Sequence, residues 1–350
     1  MEGTRVLWDE AGWPSLRVLR KIPHMLMQTK RLGNTDLHFT RIGLGTWAMG
    51  GGGWKFAWGP QDDAASIRTI REALDLGINW IDTAPVYGLG HCEEVVGQAL
   101  QGLRERPLVS TKCERCWDEQ GQIVFRLKRE SIRAEIEASL RRLGIDVIDL
   151  YQIHWPQPEE DIEEGWAAVA ELVREGKVRY AGVSNFNLAQ LQRIQPIHPV
   201  ASLQPPYSML TRGIEADLLG YCAANQIGVI AYSPMEKGLL TGKITREWVA
   251  QLAADDHRRN GWHFKEPQLG ANLELVEGLR EIAAKRGMTV AHLAIAWVLR
   301  REEVTAAIVG ARQPAQIAET VGGVGWDLTP DEIAAIESLL ETRARKAAAK

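Results

Sequence analysis

Four titratable side chains fall at the carboxyl ends of short, apolar, strand-like runs. Asp82 closes the run Asn79–Asp82, with Tyr87 in the loop behind it (IDTAPVYG). Lys112 closes Leu108–Lys112, and His154 follows directly on Val147–Ile153. Singly, each has an ordinary reading: an edge lysine, a packing tyrosine, a satisfied structural histidine. Together, at matching strand ends, they outline a proton-transfer site. Hydride addition to a carbonyl leaves an alkoxide, so a donor is needed where that charge grows. Tyrosine, with an ordinary pKa of about 10, donates poorly at neutral pH. A neighbouring ammonium such as Lys112 favours the phenolate and is expected to lower that pKa. Asp82 can pair with Lys112 and orient it, and His154 can hydrogen-bond and align the substrate oxygen.

Such a set requires a scaffold that gathers strand ends. From residue 40 onward the strand-like runs are Arg41–Leu44, Asn79–Asp82, Leu108–Lys112, Val147–Ile153, Val178–Val183, Ala201–Gln204, Gly228–Tyr232 and Ala306–Val309. Helical patterns lie between them, near 62–76, 93–103, 128–143, 161–175, 188–195, 214–225, 273–286 and 314–321. In the third, Ile132, Ile136, Leu140 and Leu143 recur on one face of a 3.6-residue helix. The strands are nearly all apolar, as strands covered on both sides must be. Eight βα units without a linker predict a closed (β/α)8 barrel, a TIM barrel of the α/β class. The doubly wound alternative would show a GxGxxG turn after its first strand, and Gly43-Leu44-Gly45 lacks the third glycine in place. Three additions are expected. Lys30–Leu32 and His38–Thr40 flank Gly33-Asn34-Thr35-Asp36 as an N-terminal β-hairpin capping the barrel bottom. Two extra helices lie over 290–301 and 330–345. The stretch 236–270 exceeds ordinary loop length and is expected to be functional.

Composition narrows the classes. The chain has 350 residues, 45% hydrophobic and 25% charged, with a net charge of −4. That balance suits a soluble globular protein and argues against a nucleic-acid surface. No apolar run reaches the length of a membrane span. Four cysteines in so long a chain suggest a reducing, cytoplasmic compartment. Cys113 and Cys116 form a CxxC with no second pair at zinc spacing, so no metal is expected. Residues 1–24 show no element periodicity and read as a leader or disordered extension; residues 25–350 read as one barrel domain.

The motifs IDTAPVYG, STK, IDLYQIHWP, GVSN, AYSP and IVGAR occur in this order. Together they resemble the aldo-keto reductase family over roughly residues 28–340. The resemblance implies a catalytic tetrad of Asp82, Tyr87, Lys112 and His154, with Tyr87 as general acid/base. It also implies a cofactor site for NADP(H), with NAD(H) the lesser alternative. Ser184, Asn185 and Gln204 would bond the nicotinamide carboxamide, and Tyr232 would stack on its ring. Ser233, Met235, Lys237, Gly238 and Leu240 would begin the loop over the pyrophosphate. Gly310 and Arg312 precede a helix whose N-terminus suits phosphate. Arg312 would read the 2′-phosphate, and Gln316 and Glu319 lie one and two turns on. Trp47, Trp54, Trp58, Trp117 and Trp155 lie in or next to rim loops and are expected to wall a substrate pocket.

The expected activity is reduction of aldehydes or ketones to alcohols, or the reverse, on a small-molecule carbonyl or alcohol. Two rivals remain: a barrel aldolase using Lys112 as a Schiff base, and a cofactor-sensing regulatory subunit on the same fold.

Overall fold

The computed structural model describes residues 27–348, so the proposed leader over 1–24 lies outside the described residues. β1 (Thr29–Arg31) and β2 (His38–Thr40) form an antiparallel hairpin. The chain continues through β3 (Ile42–Gly45), β4 (Trp80–Asp82) and β5 (Leu108–Cys113) to a second small hairpin, β6 (Arg115–Trp117) and β7 (Ile123–Phe125). β8 (Ile148–Ile153), β9 (Val178–Ser184), β10 (Ser202–Gln204), β11 (Gly228–Tyr232) and β12 (Val304–Gly310) follow. Strands β3, β4, β5, β8, β9, β10, β11 and β12 pair in parallel and close into a barrel, each at the position expected from the sequence.

The helices are α1 (Asp63–Asp75), α2 (His91–Leu100), α3 (Arg129–Leu143), α4 (Ile162–Arg174), α5 (Leu188–Ile194), α6 (Leu218–Ala224), α7 (Arg246–Ala250), α8 (Gln268–Ala284), α9 (Val290–Leu299), α10 (Pro314–Val321) and α11 (Pro330–Ala348). Their starts follow local chemistry. The Asp62 carboxylate accepts from Ala65 N at 2.7 Å, and Asn187 forms a capping box with Gln190. α3 buries Ile132, Ile136 and Leu143 and stops at Gly144, whose φ of 65° suits the left-handed C-terminal position.

The hairpin of β1 and β2 plugs the barrel floor. Leu32, Leu37 and Phe39 pack with Trp80, Leu150 and Ile230 in one fully buried cluster. Phe39 stacks on Trp80 with ring centroids 4.4 Å apart. Trp80 lies against β3 so closely that a Cβ on Gly43 would stand 2.1 Å from its Cε2. A glycine is therefore required there for space alone.

Two segments differ from the sequence expectation. The hairpin of β6 and β7 was missed; its signal is Asp118, whose carboxylate accepts from Gln120 N (3.0 Å) and Gln122 N (2.7 Å) to close the turn. The stretch 236–270 is not a plain loop: it contains α7 and the 3-10 turns Glu236–Thr241, His257–Asn260 and Trp262–Phe264, and α8 begins at Gln268, five residues earlier than expected.

Candidate active site

The floor of the site is a buried ion pair. Asp82, at the end of β4, and Lys112, near the end of β5, come from adjacent strands that pair Asp82 with Ser110. Lys112 Nζ donates to Asp82 Oδ2 at 2.7 Å and to Thr83 O at 2.8 Å, and lies 3.5 Å from Tyr87 Oη. Asp82 Oδ1 accepts from Ser110 Oγ (3.2 Å) and Gln204 Nε2 (2.8 Å). Burying two charges is costly unless they pair and their remaining hydrogen bonds are met, and here they are. An ammonium held by a carboxylate and a carbonyl offers no lone pair to a carbonyl carbon. That arrangement argues against the Schiff-base aldolase.

Tyr87 is held by a tight turn, its N–H donating to Ala84 O at 3.2 Å. Its ring lies between Trp47 and Trp54, each with centroids 6.3 Å away, and meets His154 edge to face. Burial, then the Asp82 charge, pushes the Tyr87 phenol well above its ordinary pKa, and the Arg115 guanidinium opposes this. The expectation that Lys112 leaves Tyr87 with a lowered pKa is thus corrected: loss of solvation by the phenolate outweighs the cation. The outcome is a phenol kept protonated in the resting site. His154 moves the other way. Burial, followed by Lys112 and Arg115, drives its pKa well below the ordinary histidine value, so the ring is neutral at pH 7. Its Nδ1 has no partner among the described residues. A neutral imidazole keeps one N–H to donate to a substrate oxygen.

These groups open onto a cavity of 1120 Å³ at the barrel mouth, walled by Trp47, Trp54, Trp58, Tyr87, His154 and Trp155 on one side. Ser184, Asn185, Gln204, Tyr232, Ser233, Met235, Lys237, Gly238, Gly310, Arg312, Gln316 and Glu319 continue its wall. Two expected residues do not reach it. Leu240 is fully buried in the core, because the turn at 236–241 folds it inward. Trp117 lies on β6 under the Arg142 guanidinium, 5.9 Å from its ring centroid, outside the cavity wall.

The hydrogen bonds refine the expected cofactor contacts. Ser184 Oγ donates to Gln204 O (2.8 Å), and Asn185 Nδ2 donates to Ser184 Oγ (2.9 Å) and His154 O (3.0 Å). Tyr232 Oη donates to Asn185 Oδ1 at 2.9 Å. With Gln204 Nε2 on Asp82, the Gln204 Oε1 acceptor remains without a partner among the described residues, and Asn185 Oδ1 keeps a second lone pair. Those two acceptors are what a carboxamide NH2 needs. Asn185, Ser233 and Lys237 all have left-handed backbones, with φ between 56° and 62°. Such strain in non-glycine residues concentrates at ligand sites.

The other end of the cavity is cationic. Arg312 Nε donates to Gln61 Oε1 (2.7 Å), and its two terminal nitrogens donate to Trp58 O (3.2 Å) and Pro60 O. Gln316 lies in the cavity wall as expected, with its Oε1 capping the N–H groups of Arg312 (2.7 Å) and Gln313 (3.1 Å) at the start of α10. Glu319 is bridged by Lys243 Nζ at 2.5 Å, which neutralises the carboxylate that would repel a phosphate. Arg258, Lys243, His257 and Arg115 also wall the cavity and were missed in sequence. The first three lie within the 236–270 stretch, whose excess length was the available signal. Arg115 had none beyond its place three residues after Lys112.

A model of the Aldo/keto reductase family matches residues 41–341. The chain is 39% identical over 318 residues to aldo-keto reductase YhdN of Bacillus subtilis (strain 168), covering 90% of this chain and 94% of that protein. It is 38% identical over 341 residues to the NADH-specific methylglyoxal reductase of Escherichia coli (strain K12), covering 93% and 100%. Among solved structures it resembles glycerol dehydrogenase AKR11B4 from Gluconobacter oxydans, with 40% identity, a TM-score of 0.83 and coverage of 91% and 97%. It also resembles the holo form of aldo-keto reductase AKR11C1 from Bacillus halodurans, with 28% identity, a TM-score of 0.75 and coverage of 89% and 96%.

Proposed function

The chain belongs to the aldo/keto reductase family, and from that premise we propose that it interconverts aldehydes or ketones and alcohols with NADP(H), using Tyr87 as general acid/base. It is an oxidoreductase of that family, whose members use nicotinamide cofactors. The residues fit such a cofactor: a second lone pair on Asn185 Oδ1 and the Gln204 Oε1 acceptor for a carboxamide, and cations elsewhere in the cavity wall.

When bound, the nicotinamide supplies the hydride. The protein's part is the proton. The substrate oxygen is received between the Tyr87 hydroxyl and the neutral His154 ring, and Tyr87 Oη gives its proton as the oxygen becomes an alkoxide. The phenolate left behind faces the Lys112 ammonium at 3.5 Å, which stabilises it in a dry site. Asp82 keeps that ammonium in place. Alcohol oxidation runs the same groups backwards, with Tyr87 Oη taking the proton. The observation that carries this reading is the Asp82–Lys112–Tyr87 relay beside a neutral His154 at the cavity floor.

Preference for NADP(H) over NAD(H) rests on Arg312 and the neutralised Glu319. The E. coli relative, at 38% identity, is NADH-specific by name, so the two cofactors must be compared directly. Loss of absorbance at 340 nm on adding butanal or benzaldehyde to enzyme and NADPH tests the reading. No turnover with any aldehyde or ketone would overturn it, and would favour the regulatory-subunit alternative.

A further inference from the structure

Arg115 stands in the cavity wall with Tyr87 and His154 and belongs to none of the proton-transfer or cofactor groups described above. The backbone goes out of its way to put it there. Glu114, just before it, is a fully buried non-glycine residue at φ 90°. That conformation is sparsely populated and persists only where its surroundings impose it. Here Glu114 N donates to Glu135 Oε2 (2.8 Å), Glu114 O accepts from Arg126 N (3.0 Å), and Glu114 Oε2 accepts from Trp155 N (3.1 Å). The pinned reversal carries the chain from β5 into β6.

The Arg115 guanidinium lies over three rings: Trp155 at 5.0 Å, Phe56 at 5.4 Å and Phe125 at 5.5 Å. Its side chain is 14% exposed, and its nearest carboxylate oxygen, Glu114 Oε2, is 3.9 Å away. Burial pushes Glu114 up to about 9, so that carboxyl is uncharged at neutral pH and does not offset the guanidinium. No nitrogen of Arg115 has a hydrogen-bond partner among the described residues, and Nε is buried without one. A buried donor such as Nε is unfavourable without a partner, and the terminal nitrogens beside it have no protein acceptor among the described residues. The cations at the other end differ in this respect: Arg258 is paired with Asp256, and Arg312 is anchored to the 58–61 loop. Lys55 Nζ stands 5.6 Å from the opposite partner of Arg115, the Phe56 ring, and adds a second cation at the same wall.

We infer that Arg115 recognises an anionic group on the substrate, so that the preferred carbonyl compound carries a carboxylate or phosphate a short chain away from the carbonyl carbon. A planar guanidinium matches either anion with two parallel N–H donors. The Trp155, Phe56 and Phe125 rings flank the guanidinium and leave its side chain only 14% exposed, which limits solvent screening of the charge. This inference rests on the reductase reading and adds a substrate class to it.

The test compares kcat/KM, with NADPH, for two pairs of probes: 4-oxobutanoate against butanal, and glyceraldehyde 3-phosphate against glyceraldehyde. Wild-type enzyme is expected to favour the anionic member of at least one pair by about tenfold or more, mostly through KM. The pair with the larger ratio identifies carboxylate or phosphate as the anion read. Arg115→Met should bring that ratio close to one. Arg115→Lys, which keeps a cation but loses the fork, should reduce it at least threefold, and serves alone if the Met variant does not fold. Wild-type ratios of one or below for both pairs, or a ratio unchanged in the variants, would overturn the inference while leaving the reductase reading intact. Failure of the wild type to turn over any aldehyde or ketone, these four probes included, would overturn both.

Discussion

Lys112 donates to Asp82 Oδ2 at 2.7 Å while its Nζ lies 3.5 Å from Tyr87 Oη, with almost no solvent reaching any of the three. The pair therefore has two jobs, one structural and one electrostatic. It joins β4 to β5 inside the barrel mouth, and it places a fixed positive charge beside Tyr87 Oη, where the proposed reaction would form a phenolate.

Breaking the pair from one side should cost stability as well as rate. Asp82→Asn leaves Lys112 buried without its counter-charge, an effect of about 3–5 kcal/mol. The double variant Asp82→Asn/Lys112→Met should be more stable than the sum of the single losses allows, since neither charge is then stranded. Urea unfolding of the four proteins measures the coupling; additive losses would mean that the two groups do not stabilise one another.

The barrel floor gives a prediction independent of function. Gly43→Ala forces a Cβ to within 2.1 Å of Trp80 Cε2 unless the ring or strand shifts. Overpacking of this kind costs about 1–3 kcal/mol or more. Trp80→Ala should cost about 3–5 kcal/mol through cavity formation. Gly43→Ala combined with Trp80→Ala should cost less than the sum, because the clash vanishes with the ring. A thermal melt of each variant decides it, and a Gly43→Ala protein as stable as wild type would contradict the packing.

His257 supplies a pH dependence. It stacks on Trp47 at 4.6 Å and its N–H donates to Ala57 O, tying the stretch after β11 to the loop after β3. Burial lowers its pKa to about 4, against an ordinary value of 6.5. A depressed folded-state value means the unfolded chain takes up the proton first. The stability contributed by neutral His257 is thus fully present above pH 6.5 and is lost as pH falls toward 4, by up to about 3 kcal/mol. The stability difference between wild type and His257→Gln should shrink across that window, read from urea midpoints at each pH. A difference independent of pH would remove His257 as its source.

The eight barrel strands and the floor hairpin were legible because their signals are local. Apolar runs such as Ile148–Ile153, which is buried throughout, read as strands without any knowledge of partners. The convergence of Asp82, Tyr87, Lys112 and His154 followed from one rule, that such barrels work at strand carboxyl ends. What stayed hidden depends on non-local contacts. Trp117 looks like its fellow rim tryptophans until β6 turns it toward Arg142. The cap that the Gln316 oxygen makes on two backbone N–H groups at the start of α10 was equally hidden. The direction of the Tyr87 shift was misjudged because sequence shows the neighbouring cation and conceals the desolvation.

Arg312 tests the choice of dinucleotide. Its guanidinium lies in the cavity wall and holds three protein acceptors, which leaves two of its five N–H donors unused. Charge-assisted bonds to a phosphate contribute about 1.5–3 kcal/mol. Arg312→Ala should raise the Kd for NADPH about tenfold or more and leave that for NADH within about threefold, measured by quenching of tryptophan fluorescence. Equal losses for both cofactors, or tighter wild-type binding of NADH, would show that Arg312 does not read the 2′-phosphate.

Tyr87→Phe addresses the central claim most directly, because it removes one oxygen from the site and nothing else. The variant should bind NADPH with wild-type affinity and retain the wild-type melting temperature within a few degrees. Its kcat for an aldehyde that the wild type reduces should fall by about 10²- to 10⁴-fold, the range expected for loss of a general acid. Retention of more than about a tenth of the wild-type kcat in Tyr87→Phe, with folding and NADPH binding intact, would contradict the assignment of Tyr87 as the proton donor.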